Sequence, residues 1–221
     1  MIAEELINQM IPPLKLTDDA SKAITWMVEL RTNQLPVIEK GDFLGFISEE
    51  IIFTHNNKDE NISSFELIAK ECKVYQHQHF YDVVKVAADY HIQMVAVLDE
   101  GNHFIGVISV EDTLTAFAQS AAVQNPGGIL VISMRQIDYS LAEISRLIES
   151  DDAKILSSCI VTDILDPSKI KLTLKINRID LSRTMATLER FGYRIIAHFQ
   201  ETQIISNEKE RLDILLKYLD I

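Results

Sequence analysis

Ser109 and Asp112, three residues apart, are the pair in this 221-residue sequence best suited to holding a small polar ligand. They follow an apolar stretch, Phe104-Ile105-Gly106-Val107-Ile108, and stand where helical spacing begins with Leu114, Ala116, Phe117 and Ala118. A hydroxyl at a strand end with a carboxylate in the next helical turn suits the edge of a sugar. The carboxylate accepts hydrogen bonds from two vicinal hydroxyls, and the unpaired amides of a helix start hold an anion. The same two residues also read as an ordinary helix cap and first-turn acid.

Other chemistry is poorly represented. No Ser–His–Asp or Cys–His set falls on suitable elements, and with 7 glycines in all there is no phosphate-cradling glycine loop, so no catalytic residue is assigned. His77 and His79 lie two apart, with His91 and His103 further on, but no cysteine or carboxylate completes a ligand set and no metal is assigned. These histidines read as solvated or as phosphate contacts. No cofactor is required by anything in the sequence.

The elements that must position Ser109 and Asp112 occur twice. In residues 1–60 a short helix over 4–10 is stopped by Pro12-Pro13, Leu14-Lys15-Leu16 is extended, and Thr17-Asp18-Asp19 precedes a helix carrying Ala20, Ala23, Ile24 and Met27. Leu35 to Ile38 is a strand, residues 39–42 a turn, Phe43 to Ile47 the return strand, and Ser48 opens another helix. Residues 61–122 repeat this order: a short helix at 64–69, an extended piece at 73–75, a helix over 81–90, a strand at 94–98, a turn and a return strand. Gly45-Phe46-Ile47-Ser48 aligns with Gly106-Val107-Ile108-Ser109, and one extra residue in the second hairpin moves the offset from 60 to 61.

Two βαββα-type units of about sixty residues, each ending in Gly-apolar-Ile-Ser with an acid after it, resemble a tandem pair of cystathionine-β-synthase-type (CBS) domains, a Bateman module. The resemblance implies two sheets packed together around a cleft that takes an adenosine-containing ligand of the AMP, ATP or S-adenosylmethionine class. The family's ribose-holding pair falls on Ser109 and Asp112. In the first copy Ser48 is present, but Ile51 stands at the position of the acid. Ile cannot accept from two hydroxyls, so one intact sugar site per pair is expected. Residues ahead of each long helix also line the cleft in the family, which adds Thr17 and His77. Few cations lie nearby, so a nucleoside or monophosphate is favoured over a bare polyphosphate.

Residues 118–128 read as a helix end and linker, and the pattern then changes. Over 128–200 the order is strand, helix, strand, strand, helix, strand: Ser140 and Glu143 form a capping-box pair, Ile170, Leu172, Leu174 and Ile176 alternate with polar residues, and Asp180 caps the second helix. This βαββαβ order is ferredoxin-like. The strand, acid and Ala-Glu-Ile helix resemble an ACT domain, although Tyr139-Ser140 replaces the Pro-Gly that follows the acid in that family. Residues 206–221 read as an amphipathic helix with Leu212, Leu215, Leu216 and Leu219 on one side. The expected fold is therefore α+β or α/β: a tandem CBS pair followed by a ferredoxin-like, ACT-like domain.

The net charge of −12 is concentrated at one end, where residues 1–126 carry eight Lys and Arg against nineteen Asp and Glu. Such a surface repels nucleic acid and anionic membrane. Two cysteines far apart in sequence, with no secretory signal and no apolar run long enough to cross a bilayer, suggest a cytoplasmic protein. Exposed sheet edges and the habit of the family imply a homodimer. The expected function is ligand sensing without catalysis, directed at a target protein the sequence does not name; the alternative is a structural or dimerisation adaptor with no bound nucleotide.

Overall fold

The computed structural model describes residues 1–55 and 59–200. The chain divides into two compact units, Met1–Ala118 and a second beginning at Gln119. In the first unit one copy of the repeat comprises β1 (Leu14–Lys15), α1 (Ala20–Glu29), β2 (Gln34–Glu39), β3 (Asp42–Ser48) and α2 (Glu49–His55). The other comprises β4 (Lys73–Tyr75), α3 (Phe80–Tyr90), β5 (Met94–Leu98), β6 (Phe104–Ser109) and α4 (Val110–Ala118).

Each copy makes its own three-stranded sheet, ordered β1-β2-β3 and β4-β5-β6. The helical crossover makes the first pair parallel, and the hairpin makes the second antiparallel. The first hairpin is a two-residue loop with Lys40 (φ 53°) and Gly41 (φ 97°) both left-handed, the backbone that matches strand twist. In the second, the Asp99 amide bonds the His103 carbonyl (2.9 Å) and Asn102 takes the left-handed position (φ 65°). That three-residue loop accounts for the change of offset from 60 to 61. Both hairpins bulge at the same place, after Val37 and after Val97.

The residues ahead of each copy's first strand differ from the sequence reading. The expected helices over 4–10 and 64–69 are single 3₁₀ turns at Ala3–Leu6 and Ile62–Ser64, followed by extended chain. The reason is an exchange between the copies. The Asn8 amide bonds the Val107 carbonyl on β6 (2.8 Å), and Ile68 trades two hydrogen bonds with Phe46 on β3 (2.8 and 2.9 Å). Backbone groups taken up by another copy's sheet edge are not available to a helix. Ala3 accordingly joins the core around Val74, Val95 and Val107, while Ile62 and Phe65 join the core around Leu35, Val37 and Ile47. The buried Gln34 amide adds a further tie: turned so that its oxygen faces the donors beside it, it accepts from the backbone N–H groups of Gln93 (3.0 Å) and Met94 (3.1 Å).

The second unit contains α5 (Ala121–Gln124), β7 (Gly128–Arg135), α6 (Leu141–Glu149), β8 (Ile155–Thr162), β9 (Lys169–Ile176), α7 (Ser182–Arg190) and β10 (Arg194–Phe199). Its four-stranded sheet is antiparallel throughout, in the order β10-β7-β9-β8. Leu172, Leu174 and Ile176 on β9 are buried with Leu130 and Ile132, against Ile144, Leu147 and Ile148 of α6 and Leu188 of α7. Ser140 caps α6 by accepting from the Glu143 amide (3.3 Å). Asp180 accepts from the Ser182 amide (2.9 Å) at the start of α7. The amphipathic helix expected over 206–221 lies outside the described residues.

Candidate ligand-binding site

The turn from β6 into α4 brings Ser109 and Asp112 together. The Ser109 hydroxyl donates to Asp112 Oδ2 (2.6 Å), the Ser109 amide donates to the same oxygen (2.9 Å), and the Asp112 amide donates to Ser109 Oγ (3.0 Å). These bonds fix the carboxylate orientation at the helix start. Asn8 completes the group. Its side-chain N–H donates to both carboxylate oxygens at 3.3 Å, so Asp112 Oδ1 carries a single long hydrogen bond and retains capacity for a second donor.

A cavity of about 620 Å³ opens at this carboxylate. Both copies contribute to its wall: Ser109, Glu111, Asp112 and Leu114 come from the second, and Leu30, Arg31 and Thr32 from the first. Its volume falls in the range of small-molecule sites. Arg31 stands just past the end of α1 in the left-handed conformation (φ 54°), as His91 does after α3 (φ 52°). Among the described residues Arg31 has no carboxylate partner. The cleft therefore combines a carboxylate that can accept from hydroxyl donors with a cation that can meet a phosphate or carboxylate.

The corresponding place in the first copy is different. A cavity of about 290 Å³ is lined by Glu50, Ile51, Thr54, His55, Glu66 and Ile68. Ile51 occupies the Asp112 position and Ile68 the Asn8 position, and two of the four polar residues there are acids. Ser48 accepts from the Ile51 amide (3.3 Å) as a helix cap and is not among the residues lining either cavity. Thr17 lines a third depression of about 350 Å³ with Lys15, Lys40 and Gly41. His77 is exposed and lies parallel to the Tyr75 ring, with centroids 6.0 Å apart. Of the five residues singled out from sequence, then, Ser109 and Asp112 meet at one cleft, and Ser48, Thr17 and His77 stand away from it.

Asn8 and Arg31 escaped the sequence reading because tertiary structure brings them to the cleft. The repeat held a usable signal: aligned sixty residues apart, polar Asn8 faces Ile68, a difference between copies at the same position as the Asp112/Ile51 difference. The histidines resolve into local roles. His79 Nδ1 accepts from the Tyr81 amide (3.4 Å) as the cap of α3, and the His103 ring sits 3.2 Å from Asp99. Among the described residues no group of three or more His, Cys, Asp or Glu side chains is placed to hold a metal ion. In the second unit, Arg135 donates through Nε and Nη2, one edge of its guanidinium, to the two oxygens of Asp138 (2.7 and 2.9 Å), which also pushes the Arg135 pKa up.

No family model matches the chain. Solved structures similar to it include CBS domain pairs. A CBS domain pair/ACT domain protein from Thermotoga maritima aligns at 18% identity with a TM-score of 0.49, over 54% of this chain and 98% of that one. Protein MJ1004 from Methanocaldococcus jannaschii aligns at 15% identity with a TM-score of 0.50, over 55% of this chain and 62% of that one. The CBS domain pair of protein MJ0100, solved with 5′-methylthioadenosine and S-adenosyl-L-methionine, aligns at 18% identity with a TM-score of 0.44, over 53% and 96% of the two chains. At such identities the likeness is one of fold, a mixed α/β arrangement covering about half of the chain. Among the described residues no helix is long and apolar enough to cross a membrane.

Proposed function

We propose that the first unit is a CBS-type pair that binds one adenosine-bearing ligand per chain, and that the protein is a ligand-sensing regulator rather than an enzyme. The observation that carries this reading is the convergence of Asp112, Ser109 and Arg31 on one cavity built by both copies. Asp112 takes the vicinal hydroxyls of the ribose. Arg31 takes a single phosphate or another anionic group at the far end. The first copy's cavity, with Ile51 and two acids, is left without nucleotide.

The test is a thermal unfolding series with adenosine, AMP, ATP, S-adenosylmethionine and NADH. A ligand that binds only the folded chain raises the melting temperature, by several degrees at about 100 times Kd. Absence of a shift with every compound overturns the reading. It would favour the alternative of a structural adaptor, a role consistent with Asn8 already occupying the Asp112 carboxylate. The Arg31→Ala variant separates the two ends of the ligand. Affinity for AMP should fall about tenfold, the ~1.4 kcal/mol of one solvent-accessible charge-assisted contact, while affinity for adenosine is unchanged. Isothermal titration with both ligands reads the difference.

For the second unit the proposed class is a ferredoxin-like, ACT-like module. The βαββαβ order and the β10-β7-β9-β8 sheet support it. The Arg135–Asp138 pair supports a role in association rather than amino-acid capture, because the acid after the first strand already has its cation. The protein is proposed to act as a cytoplasmic homodimer that passes the binding signal to a target protein.

A further inference from the structure

Asn8 carries a donor that the fold does not use. Its side chain is fixed in one orientation: Oδ1 accepts from the Met10 amide (3.0 Å), which turns Nδ2 toward Asp112. The backbone N–H of Asn8 is taken by the Val107 carbonyl (2.8 Å), so the residue is anchored independently of its side chain. Nδ2 lies 3.3 Å from each oxygen of the Asp112 carboxylate. Equal distances put it on the bisector of that carboxylate, where one N–H is shared between the two oxygens. An amide nitrogen has two N–H groups. The second has no acceptor among the described residues, and Asn8 lines the cavity.

Asp112 supplies the matching acceptor. Its Oδ2 already receives the Ser109 hydroxyl (2.6 Å) and amide (2.9 Å), so the remaining capacity is on Oδ1. An acceptor with room and an N–H without a partner therefore stand side by side at the cavity wall. Together they discriminate where a carboxylate alone would not. An ammonium or a metal ion has no lone pair for the Asn8 N–H and is pushed back by its positive hydrogen. A hydroxyl donates to Oδ1 and still has lone pairs to offer, and a vicinal pair divides the two roles between its oxygens. One cleft has both Asn8 and Asp112; at the aligned positions the other has Ile68 and Ile51. We infer that Asn8 is a specificity-determining ligand contact, donating to a sugar hydroxyl held by Asp112 or to the hydroxyl beside it. An acid-bearing cleft thereby takes a neutral diol in preference to a cation. The inference rests on the adenosine reading above and names the group that makes it selective.

Calorimetric titration of the full chain with AMP, 2′-deoxy-AMP and 3′-deoxy-AMP tests it, in the wild type and two variants. Asn8→Ala removes the amide and leaves the backbone bond to Val107. Asn8→Asp keeps the side-chain size and the acceptor for the Met10 amide but sets a carboxylate oxygen against Asp112. AMP should bind about fivefold more weakly to Asn8→Ala, the worth of one neutral hydrogen bond, and more weakly still to Asn8→Asp, with unchanged circular dichroism. The ligand series separates direct contact from support of the carboxylate. With direct contact, the Asn8→Ala loss vanishes for the deoxy compound that lacks the contacted hydroxyl and stays whole for the other. Equal partial losses with both compounds would make Asn8 a prop for Asp112 and overturn the inference. Wild-type AMP affinity in both variants would overturn it as well, leaving the adenosine reading intact. No AMP binding by the wild type also overturns it, and the adenosine reading falls too only if the thermal series above is blank with every compound.

Discussion

Asp112→Ala should abolish measurable nucleotide binding at ligand concentrations that saturate the wild type. Two ribose hydroxyls lose an ionised acceptor, and each hydrogen bond to a charged group is worth about 1.5–3 kcal/mol. With partial replacement by water the expected loss is ~3 kcal/mol, more than a hundredfold in Kd. The substitution also removes the acceptor of the Ser109 amide and hydroxyl, so part of any effect could come from a loosened start of α4. Asp112→Asn separates the two contributions. An amide keeps one acceptor oxygen and the side-chain shape, so the helix start should hold while the bidentate grip on the ribose is lost. Ser48→Ala is the matched substitution in the first copy. It removes the α2 cap at about 1 kcal/mol of stability and should leave affinity within twofold, because Ser48 does not line the cleft. Titration calorimetry on the three variants checks the assignment. Wild-type affinity in Asp112→Ala would remove the carboxylate from the site, and with it the sugar-edge reading.

The parts of this fold that were legible in sequence are those set by local rules. Lys40-Gly41 and the Asp99-to-Asn102 turn announce hairpins, alternation from Ile170 to Ile176 gives a one-sided strand, and Ser140 before Leu141 gives a helix start. The Ser109–Asp112 pair was legible because a strand-to-helix turn brings residues three apart into contact whatever the rest of the chain does. Residues 4–10 and 64–69 were misread as helices because their composition suits a helix while their backbone partners, Val107 and Phe46, lie far away in sequence. The same exchange hid Asn8, which reaches Asp112 across 104 positions. Arg31 was hidden differently: scarcity of cations near residue 109 in sequence says nothing about a helix end contributed by the other copy.

The exchange between copies also explains why glycine begins each Gly-apolar-Ile-Ser motif, and it makes the two glycines unequal. Gly45 should be the more sensitive. Its φ of +138° is a backbone that residues with a Cβ rarely adopt, and an added Cβ would stand 2.8 Å from the Ile68 carbonyl oxygen and 3.1 Å from Leu67 Cβ. The carbonyl cannot retreat without breaking the two hydrogen bonds that hold residue 68 to Phe46. Gly45→Ala is therefore expected to cost about 3 kcal/mol in chemical denaturation of the first unit, and truncating Leu67 should not restore it. At Gly106 the obstacle is a side chain: an added Cβ would stand 2.4 Å from Ile7 Cγ2, and no left-handed φ is required. Gly106→Ala should cost roughly 1–2 kcal/mol, and Gly106→Ala with Ile7→Ala should cost clearly less than the two single losses added, since the second truncation clears the space the first one fills. Equal losses at the two glycines, or additivity of the Gly106 and Ile7 substitutions, would mean that the crossing segments do not press on the motif as described. Because Asn8 follows Ile7 directly, Gly106→Ala alone should also weaken nucleotide binding through displacement of the segment that carries Asn8 to Asp112, whereas Ile7→Val, which keeps both branches at Cβ, should leave binding unchanged.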